Sequence, residues 1–374
     1  MGYVAVTGGQ EAIEQADQLS KYYRTNDITT LLDPHMIEKQ MRLLIDRIMG
    51  EGGLYAPEYA AIALKQAEGD PLEATFLLRA YRSTLPRHFY SKPMDTASMR
   101  VIRRISASFK DIPGGQMLGP TNDYTHRLLQ FGLRKEDEEA LSQFVTDYGL
   151  IEEGDNVQIT FPKVVDLLRE QGLVANTKDN MEEEIPYDIT RKKLTFPTSR
   201  SARLQTLARG ETGAMTSLAY SSMRGFGVIH PTVGELRVGY TEAHIPYPFG
   251  DDEEDSIYIG EVMMTEVESI NSFANNEDDD DVQFAIGYGL TLGQNEVKGI
   301  AMSVLDRSLE TTGDAPAHDE EFVLTHIDSV ESYGFVSHLK LPHYITFQSK
   351  LDRIRQAQHK RKAEEGAETN AKTT

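Results

Sequence analysis

Among its 374 residues the chain has no cysteine. It therefore forms no disulfide, holds no iron–sulfur cluster on its own thiolates and builds no zinc site that uses cysteine. It also lacks any run of about 18 uncharged apolar residues, the length that a membrane-crossing helix requires. Its opening, MGYVAVTGGQEAIEQ, carries no basic segment ahead of the few apolar residues, so no secretory signal is expected there. Positive charge is in short supply: 38 Lys and Arg stand against 59 Asp and Glu, for a net charge of −21. A duplex nucleic-acid binder shows the opposite balance. The expectation is a soluble cytoplasmic protein that binds neither nucleic acid nor membrane. With 39% hydrophobic and 26% charged residues, wholesale disorder is excluded, and the length suits two or three packed units.

The scarce positive charge is concentrated. Arg79, Arg82, Arg87, Lys92, Arg100, Arg103, Arg104 and Lys110 follow one another with only Asp95 among them. Arg191, Lys192, Lys193, Arg200, Arg203 and Arg209 form a second block with no acid. Basic islands in an acidic chain point to a local anion site, such as a phosphorylated small molecule, or to a docking surface for another subunit. Solvated basic helix faces account for the same pattern.

Helical spacing dominates the first half. A helix is predicted from Pro34 to Gly50, a second from Pro57 to Gly69, and a third from Pro71 to Ser83, capped by Asp70 and carrying Arg79 and Arg82 on one face. Further helices are predicted over residues 96–109, 121–133 and 135–148, then a strand at 156–161 and a helix from Pro162 to Gly172. A polar linker is expected at 176–184. Residues 201–223 read as a helix bent near Gly210 and Gly213. Strands follow at 235–247, 257–267 and 282–292, with Met263, Met264 and Val267 in the core, and then helices at 296–309 and 320–331. A last helix starts near Tyr344 and trails, after Ala363, into a polar tail expected to be disordered. The fold class is α+β: a helical first half, then a largely antiparallel sheet with packed helices. The expected regions are 1–175, 185–350 and 351–374. Two acidic runs, at 251–255 and 277–281, read as solvated hairpin loops.

Three segments are candidates for chemistry. Residues 110–127 place Gly114, Gly115 and Gly119 around a short loop, with Asp111, Asp123 and His126 close by. A helix capped by Thr121 or Asn122 after such a loop would present backbone N–H groups to an anion; two tight turns between helices are the alternative. Gly114-Gly115-Gln116 copies the tip of translation release factors, but a chain at −21 without a basic tip is unsuited to ribosomal RNA. Gly287-x-Gly289-x-x-x-Gly293 approximates a dinucleotide fingerprint, with its third glycine one residue late in a sheet that reads as antiparallel. Near the end, His338 and His343 stand five apart around Pro342, whose bend can bring both imidazoles to one metal ion, or they are two surface histidines. Upstream, Asp319-Glu320-Glu321 and His326 are either further ligands or the first turn of a helix.

On residues 110–129, on residues 199–240 (SRSARLQTLARG, then AYSSMRGFGVIHPTVGELRVGY), on residues 319–347 and on the opening YVAVTGG, the sequence resembles the PhnI subunit family of the bacterial carbon–phosphorus lyase complex. The resemblance spans most of the chain, to about residue 348, and weakens at 134–177 and in the acidic runs. It implies a nucleosidase-type enzyme of phosphonate utilisation, in which adenine is displaced from ATP by a phosphonate to give α-D-ribose 1-phosphonate 5-triphosphate. Alone, such a subunit releases the base of ATP or GTP to water. The implied partners are two small subunits, an ATPase-like accessory subunit and the radical-SAM iron–sulfur subunit that later breaks the carbon–phosphorus bond, with two copies of this chain per complex. The family's zinc-binding histidines, at the contact with the iron–sulfur subunit, correspond to His338 and His343. Mg²⁺ is expected to accompany ATP.

Cleaving an N-glycosidic bond through an oxocarbenium-like ribose requires proton management at the departing base, an oxygen nucleophile at the anomeric carbon and a cationic grip on the polyphosphate. The expected grip is Arg200, Arg203 and Arg209, then Arg103, Arg104 and Lys110, with Gly114 and Gly115 lending backbone amides. The acid–base candidates are Asp111, Asp123, His126, Glu261 and Glu266. A non-catalytic scaffold subunit is the competing expectation.

Overall fold

The computed structural model describes residues 8–152, 161–175, 186–225, 231–250, 255–274 and 282–371. Its helices and strands run α1 (Gln10–Thr25), α2 (Pro34–Gln40), α3 (Arg42–Gly52), α4 (Pro57–Gln66), α5 (Pro71–Thr84), β1 (Arg100–Ile105), α6 (Glu138–Glu152), α7 (Val164–Glu170), α8 (Arg200–Arg209) and α9 (Thr212–Tyr220). They continue with β2 (Thr232–Pro246), β3 (Ser256–Ala274), β4 (Gln283–Leu292), α10 (Glu296–Ser308), α11 (Glu320–His326), α12 (Ser329–Ser337) and α13 (Tyr344–Ala371). The chain divides into two compact units, residues 24–329 and residues 1–23 with 330–374.

In the larger unit, local chemistry sets the helix ends. Asp33 accepts a hydrogen bond from His35 N ahead of Pro34. Asp70 accepts from Leu72 N and Glu73 N ahead of Pro71, satisfying donors that a first turn leaves free. Gly53 closes α3 in the left-handed region at φ 66°. Ile37, Ile45, Ile48, Met49, Leu64 and Leu78 then form a helical core among α2–α5. A second core gathers Leu207, Met215, Met302, Leu305, Val323 and Ile327 from α8–α11. Burying each such side chain contributes about 1.5–3 kcal/mol.

The sheet is antiparallel throughout, in the order β1-β2-β3-β4. The helix expected at 96–109 is instead a 3₁₀ turn, Thr96–Ser98, followed by β1. The β-branched Val101, Ile102 and Ile105 suit a half-buried strand, and pairing with β2 prevails over the helical reading. That pairing also joins a strand of the first expected region to one of the second. Met264 and Val267 are buried, as expected of core residues. All but the last residue of the expected strand at 156–161, the linker at 176–184 and most of both acidic runs lie outside the described residues.

α10 lies against β3 and β4 at very short range. A Cβ on Gly287 would sit 2.0 Å from Ser303 O, one on Gly289 2.2 Å from Gly299 O, and one on Gly299 2.9 Å from Val267 Cγ2. Gly287 and Gly289 of the fingerprint-like segment thus serve strand–helix packing. In the smaller unit, α13 runs from Tyr344 to Ala371.

Because only hydrogen fits at these positions, Gly289→Ala is expected to destabilise the protein by about 1–3 kcal/mol or more. Thermal denaturation followed by circular dichroism checks this; an unchanged Tm would contradict the packing described.

Candidate functional site

Two buried arginines of β1 organise residues 110–127. Arg103, fully buried, donates to Leu118 O and to Asp123 Oδ2 (2.6 Å), and its Nε lies 3.0 Å from Glu296 Oε1. Arg104 points to the other face, pairs with Glu235, and donates to Pro113 O and to Pro162 O at 2.9 Å. Gly114 and Gly115 hold φ of 81° and 76°, and a Cβ on Gly114 would collide with the Phe161 ring at 2.4 Å. Gly115 N closes a turn on Ile112 O at 2.9 Å. The Gln116 amide folds back onto Phe109 O and Lys110 O, both at 3.1 Å. This is the geometry of the double-turn alternative, with the Gly115 N–H spent inside the loop.

No helix forms over 121–133; the segment is a turn that ends in the 3₁₀ stretch Phe131–Arg134. Thr121 Oγ1 accepts from Asp123 N (3.1 Å), and Arg127 adopts φ 51° while its guanidinium grips Asp123 Oδ1 at 2.8 Å. Two guanidinium groups fasten Asp123 to this geometry in preference to a helical first turn.

Asp123 is thereby placed on the wall of a cavity of about 630 Å³. The wall combines Arg42 and Arg47 of α3, residues 120–123 and Arg127 of the loop, Thr212 of α9, and the junction from Gln294 to Lys298 at the start of α10. Of the residues expected from sequence, Asp123 alone lines it. Arg103 sits behind the wall, fixing Asp123 and Glu296. Arg42, Arg47 and Lys298 were not anticipated; the only trace of them in the sequence is the glycine pattern that ends at Gly293, just before this junction.

The α3 edge of the cavity is electrostatically dense. Arg47 pairs with Glu51 Oε1 (2.9 Å) and with Glu211. Glu51 Oε1 accepts from Thr212 N (3.1 Å) and Oγ1 (2.8 Å). Glu211 caps α9 by accepting from Gly213 N and Ala214 N, both at 2.7 Å. Burial acts to raise the Glu211 pKa, but these amides and Arg47 prevail and hold it below the usual value.

The other expected residues lie elsewhere. Glu266 of β3 is buried among Arg237, Lys163 Nζ (2.8 Å), Thr96 Oγ1 (2.7 Å) and Tyr288 Oη (3.1 Å). Burial would raise its pKa, yet Arg237 and Lys163 outweigh it and hold the carboxyl at about 2. Such a group stays anionic near neutrality and is no proton donor. Glu261, half-buried, pairs with Arg100 at 2.6 Å. Lys110, Asp111 and His126 are exposed. On α8, Arg200 pairs with Asp306 (3.0 Å) and Glu310 (2.7 Å), and Arg203 with Glu320 (3.3 Å) and Glu310 (3.6 Å). Neither of them, nor Arg209, lines the cavity.

In the smaller unit the chain bends between a 3₁₀ turn, His338–Lys340, and α13, and the rings of His338 and His343 come to 5.4 Å between centroids. His338 Nδ1 faces Phe335 O, and His343 Nδ1 lies 2.6 Å from Leu341 O. A carbonyl only accepts, so each Nδ1 carries the hydrogen and each Nε2 keeps its lone pair, the orientation a metal-binding imidazole adopts. Each ring thus has one nitrogen with which it could ligate a metal ion. Among the described residues no group of three or more His, Asp or Glu forms a metal cluster. Asp319 caps α11 through Phe322 N (2.9 Å), and His326 turns to Phe322 O (2.7 Å), so that acidic segment is a helix start. No helix among the described residues is long and apolar enough to cross a membrane.

Comparison with known proteins gives concordant matches. The family model described as "Bacterial phosphonate metabolism protein (PhnI)" matches residues 2–361. A Stutzerimonas stutzeri protein named "Putative C-P lyase subunit protein HtxH" is 47% identical over 370 residues, 97% of this chain and 98% of that protein. Two proteins named "Alpha-D-ribose 1-methylphosphonate 5-triphosphate synthase subunit PhnI" are also similar. The one from Escherichia coli (strain K12) is 46% identical over 95% of this chain and 98% of its own length. The one from Rhizobium meliloti (strain 1021) is 44% identical over 94% of each.

Glu266→Gln would leave buried Arg237 and partly buried Lys163 without their anion, at an expected cost of about 3–5 kcal/mol at pH 7. Because pairing lowers the folded-state pKa from 4.5 to about 2, its contribution is complete above about pH 4.5 and is lost as pH falls toward 2. Urea denaturation of both proteins should show the gap narrowing below pH ~4.5; an equal gap at pH 7 and pH 3.5 would contradict the pairing.

Proposed function

The chain belongs to the PhnI family of bacterial phosphonate metabolism, and on that premise we propose that it is the nucleosidase-type subunit of an α-D-ribose 1-methylphosphonate 5-triphosphate synthase in a carbon–phosphorus lyase system. The near full-length match to two proteins bearing that name carries the reading. In the reaction, a phosphonate oxygen bonds to the anomeric carbon of ATP as the bond to adenine breaks, and the departing base takes up a proton. Without phosphonate, water replaces it as acceptor, with GTP as well as ATP as donor.

The cavity suits that reaction better than the α8 arginines. Its α3 edge places Arg42, whose guanidinium donates to the Gln294 side chain and not to a carboxylate, where polyphosphate oxygens would meet it, and Mg²⁺ would travel with the nucleotide. Asp123, fastened by Arg103 and Arg127, offers a fixed carboxylate to the positive charge that develops on the ribose. Arg200 and Arg203 already face carboxylates of this chain. His338 and His343 would hold zinc, completed by water or by donors of another chain, and the ion would supply Lewis acidity there. The partners are the radical-SAM iron–sulfur subunit, two small subunits and an ATPase-like accessory subunit, in a cytoplasmic assembly with two copies of this chain.

Incubating the assembled complex with ATP and methylphosphonate should release adenine, detected by chromatography. Absence of adenine from a fully assembled complex would favour a non-catalytic scaffold. Arg200→Ala and Arg203→Ala should lower the Tm while leaving the apparent affinity for ATP unchanged; a large rise in KM would restore α8 as the phosphate grip. Replacing His338 and His343 by Ala should remove bound zinc, measured by elemental analysis of the complex, and spare adenine release.

A further inference from the structure

We propose that the cavity at the start of α10 is an oxyanion subsite, in which Lys298 and the first turn of that helix receive a phosphoryl or phosphonyl group. The choice of anion rests on the reading above; the subsite itself rests on geometry.

α10 is a 13-residue helix whose N-cap, Asn295, makes no side-chain cap bond. The Asn295 amide is turned away, to Asp46 O (2.9 Å) and Leu292 O (2.6 Å). Residues 294–298 all line the cavity, so the positive end of the helix dipole opens on it. Lys298 is only 1% exposed, and its Nζ has no hydrogen-bond partner. A buried ammonium without an acceptor is costly, and an anionic oxygen in the cavity would relieve that cost.

The charged groups around this amine are Glu51 and Arg47 of α3, Arg79 of α5 and Asp328 beyond α11, with Arg42, Asp123, Arg127 and Glu296 on the wall. Glu51, the main opposing charge, is engaged by Arg47 and Thr212 through Oε1, while its buried Oε2, like the Lys298 Nζ, has no hydrogen-bond partner. Burial lowers the Lys298 pKa to about 8, against the pull of Glu51. Gly50 leaves room beside the amine: a Cβ there would lie 3.8 Å from Nζ and 3.1 Å from Asn295 Nδ2. A volume of about 630 Å³ is ample for a phosphate tail and falls in the usual range for small ligands.

Isothermal titration of the full-length protein with sodium tripolyphosphate and, separately, methylphosphonate tests this at pH 8 in two buffers of different ionisation enthalpy. Anion binding favours the charged amine, so proton uptake is expected, and affinity should fall as pH rises above about 8. Lys298→Met should weaken binding roughly tenfold or more, the loss typical of a charge-assisted hydrogen bond. Tighter binding of tripolyphosphate assigns the subsite to the nucleotide tail, and tighter binding of methylphosphonate assigns it to the nucleophile. The subsite is overturned if neither anion binds the folded protein, or if folded Lys298→Met binds with unchanged affinity. Where that variant does not fold, Gly50→Ala, whose added methyl group would lie 3.8 Å from Nζ, is titrated in its place, and unchanged affinity overturns the subsite. Adenine release by the complex, assayed in parallel, separates the two readings. Release that survives an unchanged Lys298→Met titration leaves the nucleosidase standing without this subsite. Lys298-dependent binding without release leaves the subsite standing without the nucleosidase.

Discussion

The approach of the α10 backbone to β3 and β4, at Gly287, Gly289 and Gly299, is the constraint on which the larger unit depends. With any side chain at these positions the helix would move outward by a methyl group or more, and the junction from Gly293 to Lys298 would move with it. That junction is itself tied down. Gln294 N donates to Asp46 Oδ2 (3.0 Å), Thr265 Oγ1 donates to Gly293 O (2.6 Å), and Asn295 N donates to Thr265 Oγ1 (2.9 Å). The cavity wall is therefore set by backbone geometry before any charged group is placed on it.

A second theme is that a chain of net charge −21 carries many of its cations inside. Arg103, Arg104, Arg237 and Lys298 are all buried, and the first three are matched to carboxylates. Buried pairs of this kind add little net stability over apolar packing, because desolvating both charges offsets most of their attraction. They do penalise every arrangement in which either partner is left alone, which favours one register of β1 against β2 and one path for the loop at 110–127. The uneven charge distribution of the sequence thus finds a structural meaning first and a ligand-binding one second.

Much of the fold was legible because it is written in local chemistry. Prolines at first helical positions, Asp70 as a cap, and alternation in β2–β4 placed those elements closely. The failures share a cause. Residues 100–105 and 121–127 have arginines and acids at spacings that fit a helix, and only partners distant in sequence, Glu235, Glu296 and the β2 backbone, select a strand and a turn. The candidate site was legible in one residue, Asp123. Arg42, Arg47 and Lys298 come from three-dimensional convergence, since α3 and α10 are some 250 positions apart, as in the Gln294 N–Asp46 bond with its separation of 248. The bend at Pro342 was readable, because proline limits what the chain can do next.

Both borders of the sheet carry a stitched-on segment. Arg104 and Met117 exchange backbone hydrogen bonds along β1 (2.8 and 2.7 Å), and along β4 Phe284 N donates to Leu173 O (2.8 Å) while Ala175 N donates to Phe284 O (2.9 Å). A foreign strand seeking to extend the sheet at these points would first have to peel its own chain away. Growth by edge-to-edge polymerisation is thereby discouraged there, which leaves helices and loops as the readier material for joining this protein to its neighbours.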